Sequence, residues 1–309
     1  MHQVIISHGL GNQLFQYSFA HFLQSYTGKL VKVENSPLVS NLGHGRSAAF
    51  KLNDFLANCT ELQFSKHNVI SNHSLFGRAM HRFGIAPSLA RYMTKSKDYE
   101  IFIEERESTS FKFLPFNLDR TTPNTSFRGF FQNWRYVQAN AEKIFAELSE
   151  YLELYVQKRS NFYKPLNSNL LVIHIRRGDF LARNRSNSEG ILDLDSYREI
   201  IKDICKNREL MQVVTVTDSP QVLRQEGIDK EFGRIIGPDE ESVWGTLKIM
   251  KEADFLIAGN STLSWWGSFL VINSGGQAYI PEPFYRDIET GGAFNYPGFQ
   301  TYDAKFLAF

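Results

Sequence analysis

Four side chains within one short stretch could do chemistry: His174, Arg176, Arg177 and Asp179. They follow Leu170-Leu-Val-Ile, an apolar, β-branched run that reads as a buried strand, so the charges arrive at its carboxyl end. That end is where an open α/β sheet binds its ligand. Two adjacent guanidiniums repel each other near a core, and an anion, a diphosphate above all, relieves that repulsion. A surface turn in which Arg177 pairs with Asp179 is the competing reading.

Two more loops leave predicted strands in the same half of the chain. Thr217-Asp218-Ser219 follows the strand Val213 to Val216. Gly259-Asn260-Ser261-Thr262-Leu263-Ser264 follows Phe255 to Ala258 and opens a helix. A helix start offers free N–H groups and a positive dipole end to a phosphate. Ordinary N-capping by Ser261 or Thr262 explains one hydroxyl but not three beside a double Arg. Trp265 and Trp266 read as packing. Asp193-Leu-Asp195 has the look of a metal-binding pair, but Asp195 stands where a helix N-cap belongs, and no cluster has metal-ligand spacing. No metal site is expected.

Near the amino terminus Gly9, Gly11, Asn12 and Gln13 follow the short strand Val4-Ile5-Ile6. The glycines are expected to make a tight turn and admit a ligand, after which Leu14, Phe15, Phe19, Phe22 and Leu23 recur with helical spacing. A dinucleotide fingerprint is one reading, with Glu34 at the ribose position, and it implies a nicotinamide-dependent oxidoreductase. Leu14 occupies the place of its third glycine.

These loops need two sets of alternating strands and helices to hold them. The second half supplies strands at 170–175, 213–216, 235–236, 255–258 and 278–280 with helices between, the pattern of a parallel, doubly wound sheet. A helix opening at Asp195 carries Tyr197, Ile200, Ile201 and Ile204 on its buried face; another carries Ile144, Leu148, Tyr151 and Tyr155. Lys158 to Asn169 breaks the pattern and reads as a linker. The expected organisation is a first domain over 1–157, the linker 158–169, a second domain over 170–290 and a tail over 291–309.

Length and composition narrow the class. At 309 residues the chain suits two domains, and a net charge of +1 argues against a dedicated nucleic-acid binder. Its two cysteines, Cys59 and Cys205, make neither a disulfide framework nor a metal site, so a reducing cytoplasm is the expected setting. The first residues lack a basic region followed by a long apolar run, and no stretch approaches a membrane span. Lys66, Arg78, Arg82, Arg91, Lys95 and Lys97, interleaved with apolar residues and free of acids, read either as a solvated helical face or as a basic patch for an anionic membrane or lipid-linked acceptor.

His174-Ile-Arg176-Arg177-Gly178-Asp179 resembles the H-x-R-R-x-D signature of the α-1,2- and α-1,6-fucosyltransferases and their protein O-fucosyltransferase relatives. Gly9 to Tyr17 is similar to the amino-terminal signature of the α-1,2 branch, and Asn260 to Gly267 to the carboxy-terminal signature of its bacterial members. The resemblance implies a GT-B architecture, two Rossmann-like α/β domains with parallel sheets facing across a cleft. It implies transfer of L-fucose from GDP-β-L-fucose, with inversion and without metal or other cofactor, to the 2-hydroxyl of a galactose in a surface glycan such as an O-antigen.

By the same resemblance Arg176 contacts the β-phosphate, Arg177 supports the site and His174 lies near the guanine. Asp218 serves the nucleotide side, Thr262 with its neighbours Asn260, Ser261 and Ser264 holds the pyrophosphate, and Asn12 faces the sugar or acceptor. Asp179 completes the motif. Two departures stand out: Asp218-Ser219 where relatives carry two acids, and Thr246 where they carry a guanine-reading Asp. Asp239, Glu240 and Glu241 are the possible substitutes, and no base for the acceptor hydroxyl is assigned. Transfer of another GDP-sugar and non-catalytic binding of a sugar nucleotide are the alternatives beside the oxidoreductase.

Overall fold

Parallel strands cannot be joined by hairpins, so each needs a crossover long enough for a helix, and the helices supply the apolar faces that cover the sheet. The computed structural model describes residues 1–35, 52–56, 62–65, 100–103, 111–113, 124–159, 169–178, 189–206 and 212–308. It divides into two compact units, Met1–Ala141 and Glu142–Phe309. The membrane-patch reading of residues 66–97, the position of Asp179 and most of the expected linker lie outside the described residues. No described helix is long and apolar enough to cross a membrane.

The first unit runs β1 (His2–Ile6), α1 (Leu10–Thr27), β2 (Val31–Asn35), α2 (Asn53–Leu56), β3 (Gln63–Ser65), β4 (Glu100–Ile103), β5 (Thr125–Arg128) and α3 (Trp134–Gln138). Its sheet has the order β3-β2-β1-β5-β4 with every pair parallel. Val4, Ile6, Val33 and Phe127 are fully buried, as are Leu14, Phe15, Phe19 and Leu23 of α1. Phe19 stacks on Phe131, ring centroids 3.8 Å apart, and meets Phe127 edge-on. The helix ends where Gly28, at φ 65°, turns left-handed and donates its N–H to the Gln24 carbonyl, a conformation glycine adopts without strain.

The second unit holds α4 (Ala141–Gln157, entered from the last residue of the first), β6 (Leu170–Ile175), α5 (Leu194–Cys205), β7 (Gln212–Thr217), α6 (Pro220–Gln225), α7 (Ile228–Glu231), β8 (Arg234–Ile236), α8 (Val243–Lys251), β9 (Phe255–Ile257), α9 (Thr262–Asn273), β10 (Gln277–Glu282) and β11 (Gln300–Asp303). Its sheet is parallel throughout in the order β11-β10-β9-β6-β7-β8. The chain steps outward from β6 to β7 and β8, then returns to β9 on the other side of β6. That reversal is the topological switch point, and the crevice it opens lies beyond the carboxyl ends of β6 and β9.

Four expectations are corrected. The helix α4, assigned above to the first domain, falls with the second, because Tyr151 packs on Trp244 at 4.7 Å and Glu153 pairs with Lys248 at 2.6 Å. Its buried stripe is Ile144, Leu148 and Leu152, while Tyr155 bonds Ser242. The tail is structural, since β11 pairs with β10 from Tyr279↔Gln300 to Glu282↔Asp303. Asp193, not Asp195, caps α5: its backbone is extended and its carboxylate accepts the Asp195 N–H at 3.0 Å. Asp195 sits one residue inside the helix and pairs with Arg198.

Candidate active site

Strand β6 is buried along its whole length, so its apolar residues fix the strand and leave the next residues, Arg176 to Gly178, to turn over the sheet edge. Asp218, at the end of the neighbouring β7, holds that turn. Its Oδ1 accepts the backbone N–H groups of both Arg177 and Gly178, each at 2.9 Å. A side chain at Gly178 would meet Ser219 Oγ at 2.9 Å and Asp218 Oδ2 at 3.0 Å, so only glycine lets the turn sit this close. Asp218 therefore shapes the loop first, with one oxygen left 4.0 Å from Arg176 Nε.

The two arginines divide. Arg177 is buried and donates to the Leu192 carbonyl at 2.6 Å. Arg176 is partly exposed and donates to Ser261 Oγ at 3.3 Å, at the start of α9. Ser261 is the N-cap of that helix and accepts the Leu263 N–H at 3.2 Å. Arg176 thus shares a corner with the open N–H groups and positive end of α9, and both attract an anion.

The remaining residues of the third loop serve as supports. The Asn260 amide donates to the carbonyls of Glu189 (3.0 Å) and Gly190 (2.9 Å), and Ser264 is wholly buried with its hydroxyl bonded to His174 Nδ1. The Asn260 NH2 group and the Ser264 hydroxyl are thus both engaged within the protein. Thr262, the first residue of α9, stays at the helix start. Trp265 and Trp266 are fully buried, as expected of packing residues.

His174 is buried, and that burial pushes its pKa down to about 4; Asp218 opposes the shift and Arg176 adds to it. It is a neutral imidazole at pH 7, with one nitrogen held by Ser264. The residues on offer for guanine differ in availability. Glu241 is buried with one oxygen taken by the Ser242 N–H at 2.9 Å, Glu240 pairs with Arg224 and Arg234, and Asp239 is exposed. Thr246 lies half-buried in α8.

Two residues absent from the sequence reasoning join the site. Burial raises the pKa of the Tyr285 phenol, with Glu189 adding to the shift and Arg176 opposing it. The Glu189 carbonyl accepts the neighbouring Arg286 N–H. Their separation in sequence from Arg176 leaves no local signal. Among the described residues no group of three or more His, Cys, Asp and Glu side chains is placed to hold a metal ion.

The first unit has its own switch point between β1 and β5. Here the tight turn is made by His8, at φ 69°, while Gly9 is extended and caps α1 and Gly11 lies in its first turn, which corrects the role expected of the glycines. Gln16 ties the two strand exits, accepting the Ser7 N–H at 2.8 Å and donating to the Gly129 carbonyl at 2.7 Å. Gln13 is a second tie, donating to the His8 carbonyl and accepting from the Leu52 N–H. Asn12 accepts from the Gln132 amide at 2.7 Å, a partner not foreseen from the sequence. Glu34 is buried and paired with Lys32 rather than open to a ribose.

Two doubly wound parallel sheets, one with a guanidinium beside a helix start at its switch point, define an α/β protein built to take an anionic ligand. The chain belongs to glycosyl transferase family 11, whose model matches residues 1–287, and it is a glycosyltransferase. It is 22% identical over 289 residues to the O-antigen biosynthesis glycosyltransferase WbnK of Escherichia coli, spanning 86% of this chain and 88% of that one. It is 24% identical over 290 residues to an α-1,2-colitosyltransferase of Escherichia coli, 90% of each. Among solved structures it is similar to the fucosyltransferase NodZ from Bradyrhizobium, with TM-score 0.47 and 12% identity over 87% of this chain and 93% of that one.

Proposed function

We propose that the protein transfers L-fucose from GDP-β-L-fucose to the 2-hydroxyl of a galactose, forming an α-1,2 linkage in an O-antigen-type surface glycan, on the cytoplasmic side of the membrane. The observation that carries this reading is Arg176 against Ser261 at the start of α9. In the reaction the acceptor oxygen attacks the anomeric carbon as the bond to the β-phosphate oxygen breaks. GDP leaves with that electron pair and the hydroxyl proton passes to solvent, so the β-linked donor yields an α product. Negative charge grows on the diphosphate in the transition state, and a guanidinium fixed there stabilises it most at that moment.

The other residues act through Arg176. Asp218 fixes the turn, Arg177 ties it to Leu192, and Ser264 holds a neutral His174 whose second nitrogen is left for the base. Charge neutralisation by Arg176 and the dipole of α9 needs no metal. Asn12, held by Gln132, serves the sugar or acceptor side.

A second donor is favoured by the colitosyltransferase relative: GDP-colitose, whose sugar is the 3-deoxy counterpart of L-fucose. The test is incubation with each donor and an array of galactosides in the presence of EDTA, followed by linkage assignment of the product by NMR. An α-1,2-fucosylated galactoside supports the reading, whereas product from GDP-colitose alone replaces the donor and no GDP-sugar turnover removes the proposal.

A further inference from the structure

The family match ends at residue 287, yet the residues beyond it reach the switch point of the second sheet. Strand β11 extends the sheet by one edge, and the chain after it folds back along the segment that precedes α5. The Leu307 N–H donates to the Ile191 carbonyl at 2.9 Å, and the Asp193 N–H to the Lys305 carbonyl at 2.7 Å. Leu192 and Phe306 form an antiparallel bridge, and the Lys305 N–H donates to Ser196 Oγ at 2.8 Å.

Tyr302, in the middle of β11, turns its ring into the core. Its hydroxyl donates to the carbonyl of Ala258, the first residue past the end of β9, at 2.6 Å. Tyr197 on α5 packs against it with ring centroids 6.2 Å apart. Tyr197 in turn donates to the His174 carbonyl at 3.3 Å. The β6–β9 register stops at Ile173↔Ile257, so His174 and Ala258 are the residues at which these two strands part. One phenol pair thus ties the two backbones on either side of the crevice. The space is filled: a Cβ on Gly259 would lie 2.9 Å from the His174 carbonyl oxygen and 3.1 Å from the Tyr197 hydroxyl.

We propose that Tyr302 is a positioning residue of the donor site, holding through Ala258 and Tyr197 the separation between the Arg176 turn and the start of α9. The strap from Ala304 to Leu307 keeps it in place and also fixes Leu192, whose carbonyl anchors Arg177. A buried hydroxyl that only filled the core would not need to face the one carbonyl where the strand ends. The link to GDP rests on the proposed function, while the bracing itself does not.

The test compares Tyr302→Phe, which keeps the ring and deletes one hydroxyl, with Thr215→Val, which deletes another buried hydroxyl bonded to a backbone carbonyl, that of Phe232 at 2.8 Å. Hydrogen exchange by mass spectrometry is followed in both full-length variants, with GDP affinity by calorimetry. In Tyr302→Phe, exchange at 174–178 and 258–263 accelerates about fivefold, the equivalent of one lost hydrogen bond, and GDP affinity falls by a similar factor. In Thr215→Val those two loops and the GDP affinity stay as in the wild type. Wild-type exchange at both loops in Tyr302→Phe overturns the proposal, as does equal acceleration in the two variants. If the wild type binds no GDP, the donor reading falls and local exchange alone decides the bracing.

Discussion

Asp218 shows how a carboxylate beside two arginines can serve geometry before charge. Its bonds to the Arg177 and Gly178 N–H groups convert the end of β6 into a fixed turn, and Arg176 inherits its direction from that turn. His174 is the companion case, a histidine kept neutral by burial. Its folded pKa of about 4 lies below the ordinary 6.5, so the unfolded chain takes up the proton first. Stability from this group is full above pH 6.5 and is lost as pH falls toward 4, by on the order of 3 kcal/mol in all. His2, also lowered to about 4 by burial, Lys29 and the amino terminus, adds a loss of the same sign in the first unit. NMR titration of the imidazoles is the check: His174 stays neutral at pH 5.5, and a midpoint near 6.5 would contradict the burial argument.

At the scale of elements, the start of α9 is a helix cap and, under the proposed function, also half of an anion site, and the two roles can be separated. Asp caps a helix as well as Ser does, so Ser261→Asp should leave the melting temperature within about 1 °C to 3 °C of the wild type. Its carboxylate would pair with Arg176 and repel a diphosphate, so calorimetry should show GDP affinity lost by at least about tenfold. Retained affinity would mean that the diphosphate lies elsewhere.

The strands of this unit were legible because fully buried parallel strands are short runs of apolar and β-branched residues, and the cap at Ser261 was legible from its type and place. Partners were not. Asn260 bonds residues some seventy positions earlier and Ser264 bonds His174 ninety positions away, so the sequence carries no local sign of these bracing contacts. Strand β11, Gln-Thr-Tyr-Asp, is too short and polar to announce itself, and it forms because β10 offers it an edge. His8 took the left-handed turn that the neighbouring glycines seemed meant for, since Gly9 was needed in an extended form to cap α1.

At the scale of the molecule, two doubly wound units and a match to family 11 over residues 1–287 account for almost the whole chain, and the remainder completes the second sheet. A ligand that binds only the folded site raises stability by mass action, about 2.7 kcal/mol at a hundred times its Kd. GDP should therefore raise the melting temperature, with UDP and NAD doing less at equal concentration. A larger shift with NAD would restore the oxidoreductase reading of the glycine loop, against which the Lys32–Glu34 pair already stands.

The role of Arg176 as clamp on the departing diphosphate is the claim on which the rest depends. GDP release from GDP-fucose and a galactoside acceptor, measured for the wild type and Arg176→Ala at matched fold by circular dichroism, tests it most directly. The loss of one such contact predicts a rate lower by about 10²- to 10³-fold, with Arg176→Lys also impaired because an ammonium cannot supply a guanidinium's fork. Turnover by Arg176→Ala within a few-fold of the wild type would contradict the account.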